Sequence, residues 1–173
     1  YITLKLAISK NYFSKDLNLT NITSSETQYY MHKYRLTHDA VAVGYNTYKD
    51  DNPELSSRLN GIIQKNFKFT ISKKNLKLKK NFNLIKLNYK DEPRFFLKQL
   101  KDYSINSILI EGGLSTFNYF YKNKLFDQLI ICQSNKDIKS SKKRYKLNLS
   151  LLKKNLKLYS ERTYGEDSIK IYK

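Results

Sequence analysis

The stretch Ile108-Leu109-Ile110-Glu111-Gly112-Gly113-Leu114-Ser115-Thr116-Phe117 puts a carboxylate and two glycines where an apolar strand gives way to a helix. Such junctions are where α/β sheets take up ligands, because a helix begins with unpaired N–H groups that suit anions. Gly112 and Gly113 let a phosphate approach the backbone, and Glu111, at the strand's carboxyl end, faces the crevice. The same residues also fit a plain Gly-Gly turn and a solvated strand-end charge. The motif therefore marks a place for chemistry without naming the reaction.

Other reactive side chains are few. Cys132 is the single cysteine, which excludes a disulfide framework or a Cys-rich zinc site within one chain and favours a reducing cytoplasm. It lies in an apolar strand without an identifiable base, as an inert buried thiol would. His32 and His38 have no Cys or carboxylate at ligand spacing, so surface or capping roles are expected for them and no metal is assigned. The chain also lacks a His-x-Glu with a Pro-Cys-x-x-Cys partner, the zinc signature that activates water for deamination.

Strands alternating with helices must position these residues. A half-buried first strand is expected over 2–9, with Ile and Leu on one face and Thr, Lys and Ala on the other. Thr23-Ser24-Ser25-Glu26 resembles a capping box that opens a helix through about Leu36. A short strand over 40–43 ends at Gly44, and one helical turn over 46–51 is closed by Asn52-Pro53. Strands are expected over 67–72 and 83–87, with a helix opening at Pro93 whose apolar face holds Phe95, Phe96, Leu97 and Leu100. The strand over 107–111, the glycine turn, a helix over 115–122 and a buried strand over 128–132 follow. The basic stretch 136–154 reads as loop with one helical turn. Alternating segments over 156–163 and 168–172 then flank Tyr164-Gly165-Glu166-Asp167 as a hairpin. The result is one domain over 1–173 with a mixed sheet, antiparallel at its edge. The chain starts almost inside a strand, which leads one to expect a preceding domain or leader.

Composition narrows the partners. With 33 Lys plus Arg against 15 Asp plus Glu, the 173 residues carry a net charge of +18. That charge invites a nucleic-acid reading. The lysines, however, are scattered among Asn, Ile and Tyr, as in 73–80, which is the slant of AT-rich coding and makes a solvated surface. The aromatic wealth, 15 Tyr and 9 Phe, reads as core and dimer surface and forms no RNA-binding motif. No specific nucleic-acid partner is expected. A field of this sign draws in phosphorylated small molecules. No apolar run approaches the roughly 20 residues that span a bilayer, so no membrane partner is expected.

Four segments together carry a resemblance. They are 3–7 (Thr-Leu-Lys-Leu-Ala), Ile22-Thr23-Ser24 leading to Arg35, 44–58 from Gly44-Tyr45-Asn46-Thr47 through Asp51-Asn52-Pro53 and Leu55 to Arg58, and Ile110-Glu111-Gly112-Gly113. In this order and spacing they resemble the reductase domain of riboflavin biosynthesis, and the likeness covers nearly the whole chain. In bacteria that domain is usually the C-terminal half of a bifunctional deaminase-reductase, which implies a fused or associated deaminase domain.

The resemblance implies a dihydrofolate-reductase-like three-layer α/β fold, with a mixed, mostly parallel sheet between helices and an antiparallel C-terminal hairpin. It also implies a cytoplasmic homodimer. The implied reaction is NADPH-dependent reduction of the ribosyl group of 5-amino-6-(5-phosphoribosylamino)uracil to the ribitylamino product. The family's catalytic contacts fall on Lys5 and Glu111, and its substrate contacts on Arg35, Leu55 and Arg58, the cations suiting the phosphate. Its cofactor contacts fall on Ala7, Thr47, Asp51 and the turn Gly112, Gly113, Leu114, Ser115 and Thr116, continuing to Tyr119. Glu111 is expected to orient substrate and not to serve folding. On the residues alone, Arg35 also reads as a solvated helix residue, and Thr47 and Asp51 as ordinary caps.

The chain departs from the family after the first strand, where Asn11-Tyr12 replaces a common Asp-Gly. It departs again at Asn18-Leu19-Thr20-Asn21, a shorter segment than the family's Gly-rich stretch with its Ser and Trp. Two other functions therefore stay open. One is a reductase of the same fold acting on the undeaminated diaminopyrimidine or on another pterin or pyrimidine. The other is a basic binding protein that kept the fold and lost the chemistry.

Overall fold

The structure is a computed structural model. It describes residues 1–18, 21–59, 61–64, 66–87, 93–139, 141–148, 150, 152 and 156–173. Ten strands and four helices run in the order β1 (Ile2–Ile8), α1 (Ser25–Leu36), β2 (Ala40–Gly44), α2 (Tyr45–Asp51), β3 (Ser57–Leu59), β4 (Ile62–Gln64), β5 (Phe67–Ser72), β6 (Asn83–Lys86), α3 (Pro93–Asp102), β7 (Ile108–Glu111), α4 (Leu114–Lys122), β8 (Gln128–Gln133), β9 (Leu158–Tyr164) and β10 (Asp167–Tyr172). Eight strands form one sheet in the order β6-β5-β2-β7-β1-β8-β10-β9, and β3 pairs with β4 in a separate two-stranded hairpin. Pairing is parallel from β6 across to β8 and antiparallel from β8 through β10 to β9. This is the mixed sheet with an antiparallel edge that the alternating pattern implied, and it is the dihydrofolate-reductase-like fold.

Alternation along the strands divides the molecule into three layers. Leu4, Leu6, Ala42, Phe69, Ile110 and Ile131 face one side, where Phe96 and Leu100 of α3 and Leu114, Phe117 and Phe120 of α4 pack on them. Leu109, Ile130, Cys132 and Ile169 face the other, against Met31 of α1. Beside them Val41 and Val43 pack with Leu55 and Phe82. β1 is therefore not the half-buried strand expected. It is central, covered on both faces, and even Thr3 is fully buried, its hydroxyl 2.8 Å from His38 Nε2.

Several boundaries moved for local reasons. The cap of α1 is Ser24, not Thr23: its backbone is extended, its hydroxyl accepts the Thr27 N–H at 3.4 Å, and its own N–H donates to Asp167 at 2.7 Å. On α3 only Phe96 and Leu100 are buried while Phe95 and Leu97 are exposed, because adjacent helical residues cannot share one narrow face. The hairpin β3-β4 was not expected, although Asn60-Gly61 between its strands is the usual signal for one, and Gly61 takes a φ of 77°. Asn52 closes α2 in the left-handed region, at φ 44°, just before Pro53. The loop expected over 136–154 contains a 3-10 turn at Lys143–Tyr145 and is pinned to the segment after β1. There Asn11 accepts the Ile138 N–H and donates to the Ile138 carbonyl, and Tyr12 O accepts the Leu147 N–H. Tyr12, at φ 71°, occupies a left-handed position where the family's glycine is at ease. Of the second departure, Leu19 and Thr20 lie outside the described residues.

Candidate active site

Parallel pairing sets Lys5 of β1 directly beside Glu111 of β7, and both project to the α1 face near the strands' carboxyl ends. Arg35 comes in from the last turn of α1. Its Nε donates to Glu111 Oε1 at 2.7 Å and its Nη2 to Oε2 at 3.0 Å, while Nη1 reaches the Ser56 carbonyl at 3.4 Å. The two side chains retain only 20% and 11% of their exposure. Burial alone would raise the Glu111 carboxyl, but the charge and hydrogen bonds of Arg35, with Lys5 and His32, hold it at about 2. Glu111 is therefore a carboxylate anchored on both oxygens by Arg35. The fork of Arg35 is engaged by Glu111, which excludes the solvated reading of Arg35.

Around this pair the site is basic. Arg58, on β3, is exposed and pairs with Glu54 four residues before it. Leu55 is buried at φ 53°, packed with Val41, Val43 and Phe82, so any contact it makes with substrate falls to its backbone. Two further residues join the cluster: His32, for which a surface or capping role was expected, and Lys68, which sequence reasoning passed over. His32, one turn before Arg35, accepts the Arg58 N–H on Nδ1 at 3.2 Å. Burial, then Arg35 and Arg58, push its imidazole down despite Glu111. Lys68, on β5, registers with Val41 and so lies on the α1 face; burial and the nearby Arg58 and Arg35 lower its ammonium. The spacing of the sequence carried no signal for Lys68. His38 is buried, and its Nδ1 lies 2.6 Å from the Tyr34 carbonyl, so it closes the end of α1. Cys132 is fully buried, and burial pushes its thiol up to about 11.

On the other side of the strand ends lies a cavity of about 1070 Å³. Thr47 and Asp51 of α2, Ser72 at the end of β5 with Lys73 just beyond it, and Gly113, Leu114, Ser115, Thr116 and Tyr119 at the start of α4 line it. Lys15 and Arg144 reach it from the two pinned segments, and Lys15 pairs with Asp50 at 2.6 Å. Ala7 and Gly112 do not line it. Gly113 caps α4 without a side-chain hydrogen bond, and a Cβ there would meet nothing within 4 Å. The turn therefore presents bare helix N–H groups to open space, which suits an anion. Gly112 is a glycine for a different reason: its Cβ would lie 3.1 Å from Thr116 Cβ, so it lets α4 close on the strand. Gly44 is tighter still, a Cβ there falling 2.1 Å from Thr116 Oγ1.

A family model described as the RibD C-terminal domain matches residues 1–169. The chain belongs to that family, the pyrimidine reductases of riboflavin biosynthesis. No curated protein sequence matches it. Among solved structures, Acinetobacter baumannii RibD superposes with a TM-score of 0.82 at 17% identity, over 99% of this chain and 57% of that one. A diaminohydroxyphosphoribosylaminopyrimidine deaminase/5-amino-6-(5-phosphoribosylamino)uracil reductase from Thermotoga maritima gives 0.80 at 19%, over 100% and 56%. The riboflavin biosynthesis reductase Rib7 of Saccharomyces cerevisiae gives 0.71 at 17%, over 100% and 89%. The chain thus spans little more than half the length of the bacterial RibD proteins and most of Rib7. Reductases of the RibD C-terminal family generally use a nicotinamide cofactor, and the groove beside α4 offers the helix terminus and cations that its phosphates require. Among the described residues, no group of three or more His, Cys, Asp or Glu could hold a metal, and no helix is long and apolar enough to cross a membrane.

Proposed function

We propose that the chain is an NADPH-dependent reductase that converts the ribosyl group of 5-amino-6-(5-phosphoribosylamino)uracil to a ribityl chain. One observation carries this reading: Glu111 and Gly113 stand two residues apart at the end of β7, so an anchored carboxylate and the bare start of α4 adjoin at one strand end. A substrate held on the first and a dinucleotide on the second would meet there.

The cofactor, when bound, supplies hydride to C1′ of the opened ribosylamine. Opening breaks the C1′–O4′ bond as the nitrogen lone pair forms C=N, leaving an iminium ion whose N–H is retained; O4′ takes one proton, and hydride at C1′ then gives the neutral amine. Lys5, beside Glu111, is the proton donor in this reading. Glu111, fixed by Arg35, accepts hydrogen bonds from ribose hydroxyls or pyrimidine N–H groups. Arg58 takes the phosphate, with Leu55 contributing backbone. Thr47, Asp51 and the residues from Gly113 to Thr116 hold the cofactor, and Lys73 and Lys74 on the cavity wall favour its extra phosphate over NADH. Ala7 stands one step further along the α1 face from Lys5, where the reading puts the nicotinamide.

The same reading makes the protein a cytoplasmic homodimer that works with a deaminase domain. Titration of NADPH and NADH against the parent and Gly113→Val tests the cofactor half. NADPH is expected to bind more tightly than NADH and to lose most of its affinity in the variant. Equal titration of parent and variant by NADPH contradicts the placement.

A further inference from the structure

Among the described residues, the hairpin that carries Arg58 stands outside the main sheet's hydrogen-bond ladder, and β3 pairs with β4. Its position depends on α1. His32 holds it by both its backbone and its side chain: the His32 carbonyl accepts Ser57 Oγ–H at 3.0 Å, and Nδ1 accepts the Arg58 N–H at 3.2 Å. One turn on, Arg35 reaches the Ser56 carbonyl while it grips Glu111. His32 and Arg35, on one helix face, thus hold three consecutive residues: Ser56 by its carbonyl, Ser57 by its hydroxyl and Arg58 by its N–H.

We infer that His32 is a positioning residue that fixes the Arg58 strand so that its guanidinium is presented to a phosphate monoester. The inference rests on the reading of Arg58 as the phosphate contact. A neutral imidazole is required, since Nδ1 must accept. Burial and the positive groups facing it, Arg35 and Arg58, favour that form against the opposing charge of Glu111. Asparagine at position 32 can place an acceptor oxygen near the same point; alanine cannot.

The test is calorimetric binding of ribose 5-phosphate to the full chain, with NADPH affinity as the reference. One backbone hydrogen bond predicts that His32→Ala weakens ribose 5-phosphate about three- to tenfold while NADPH is unchanged. His32→Asn is expected to restore binding to within about twofold of the parent. Because His32 acts through Arg58, the double variant His32→Ala/Arg58→Ala is expected to bind no more weakly than Arg58→Ala alone. Ser57→Ala, which loosens the hairpin but leaves Nδ1 in place, lowers the thermal midpoint without that loss. Arg58 amide exchange in the parent supplies a measure independent of any variant: the amide is expected to be protected. Parent-like binding by His32→Ala, losses that multiply in the double variant, or an unprotected Arg58 amide overturns the inference. Parent-like binding by Arg58→Ala overturns instead the phosphate reading on which it rests.

Discussion

The Arg35–Glu111 pair joins a strand end to a helix end beneath the proposed reaction site. Breaking such a buried pair leaves a charge without a partner, so Arg35→Ala is expected to cost about 3–5 kcal/mol, while Arg35→Met/Glu111→Leu recovers much of it and stays inactive. Chemical denaturation of the three proteins decides this. The carboxyl's depressed position has a pH signature. Its ordinary value is 4.5 and its folded value about 2, so its stabilisation is complete above pH 4.5 and is lost as pH falls toward 2. The loss amounts to about 3 kcal/mol. Burial also lowers His32 and His38 from 6.5, so a milder loss begins below that pH as they are forced to charge. Glu111→Gln is expected to flatten only the acid part of the stability profile. A parent profile that is already flat between pH 4.5 and 2 contradicts the assignment.

At the scale of elements, the approach of α4 to the sheet depends on Gly44 and Gly112, and the groove depends on Gly113. Gly44→Ala is expected to destabilise the fold by about 1–3 kcal/mol through overpacking. Thr116→Ala in the same chain relieves it, since Thr116 Oγ1 is the atom met. Gly113→Val, by contrast, keeps the thermal midpoint while obstructing NADPH. If it unfolds the protein instead, the turn at Gly113 is not open. The apolar runs of β2 and β7, the existence of β1 and α1 and the C-terminal hairpin were readable because each follows a local period, cap or turn, although the cap of α1 fell one residue later than Thr23 and β1 proved covered on both faces. What distinguished Gly112 from Gly113, or placed Lys68 beside Arg58, was not readable. Those facts depend on which helix or strand comes to lie opposite, and spacing along one chain does not record it. The same holds for Arg35 and Glu111, identifiable separately by family likeness but not as partners. The short β3-β4 hairpin escaped because three-residue strands leave no period to count.

For the molecule as a whole, the charge of +18 and the open edge strand β9 make separate demands. Leu158 and Tyr159 on that edge are 46% and 66% exposed, which suits contact with a second copy. Light scattering is expected to show a dimer, and Tyr159→Lys to shift it toward monomer; a monomeric parent contradicts the proposed assembly. The general surface charge should bind random duplex DNA weakly and lose it steeply with salt, whereas Arg58→Ala leaves that binding unchanged because it removes one of 33 cations. The central claim is catalytic, and one assay reaches it: oxidation of NADPH by the purified chain in the presence of 5-amino-6-(5-phosphoribosylamino)uracil, with the undeaminated diaminopyrimidine run beside it. The account predicts oxidation that requires the deaminated substrate and falls sharply in Glu111→Gln. Tight NADPH binding with no oxidation on either pyrimidine, or turnover that survives loss of Glu111, would contradict it.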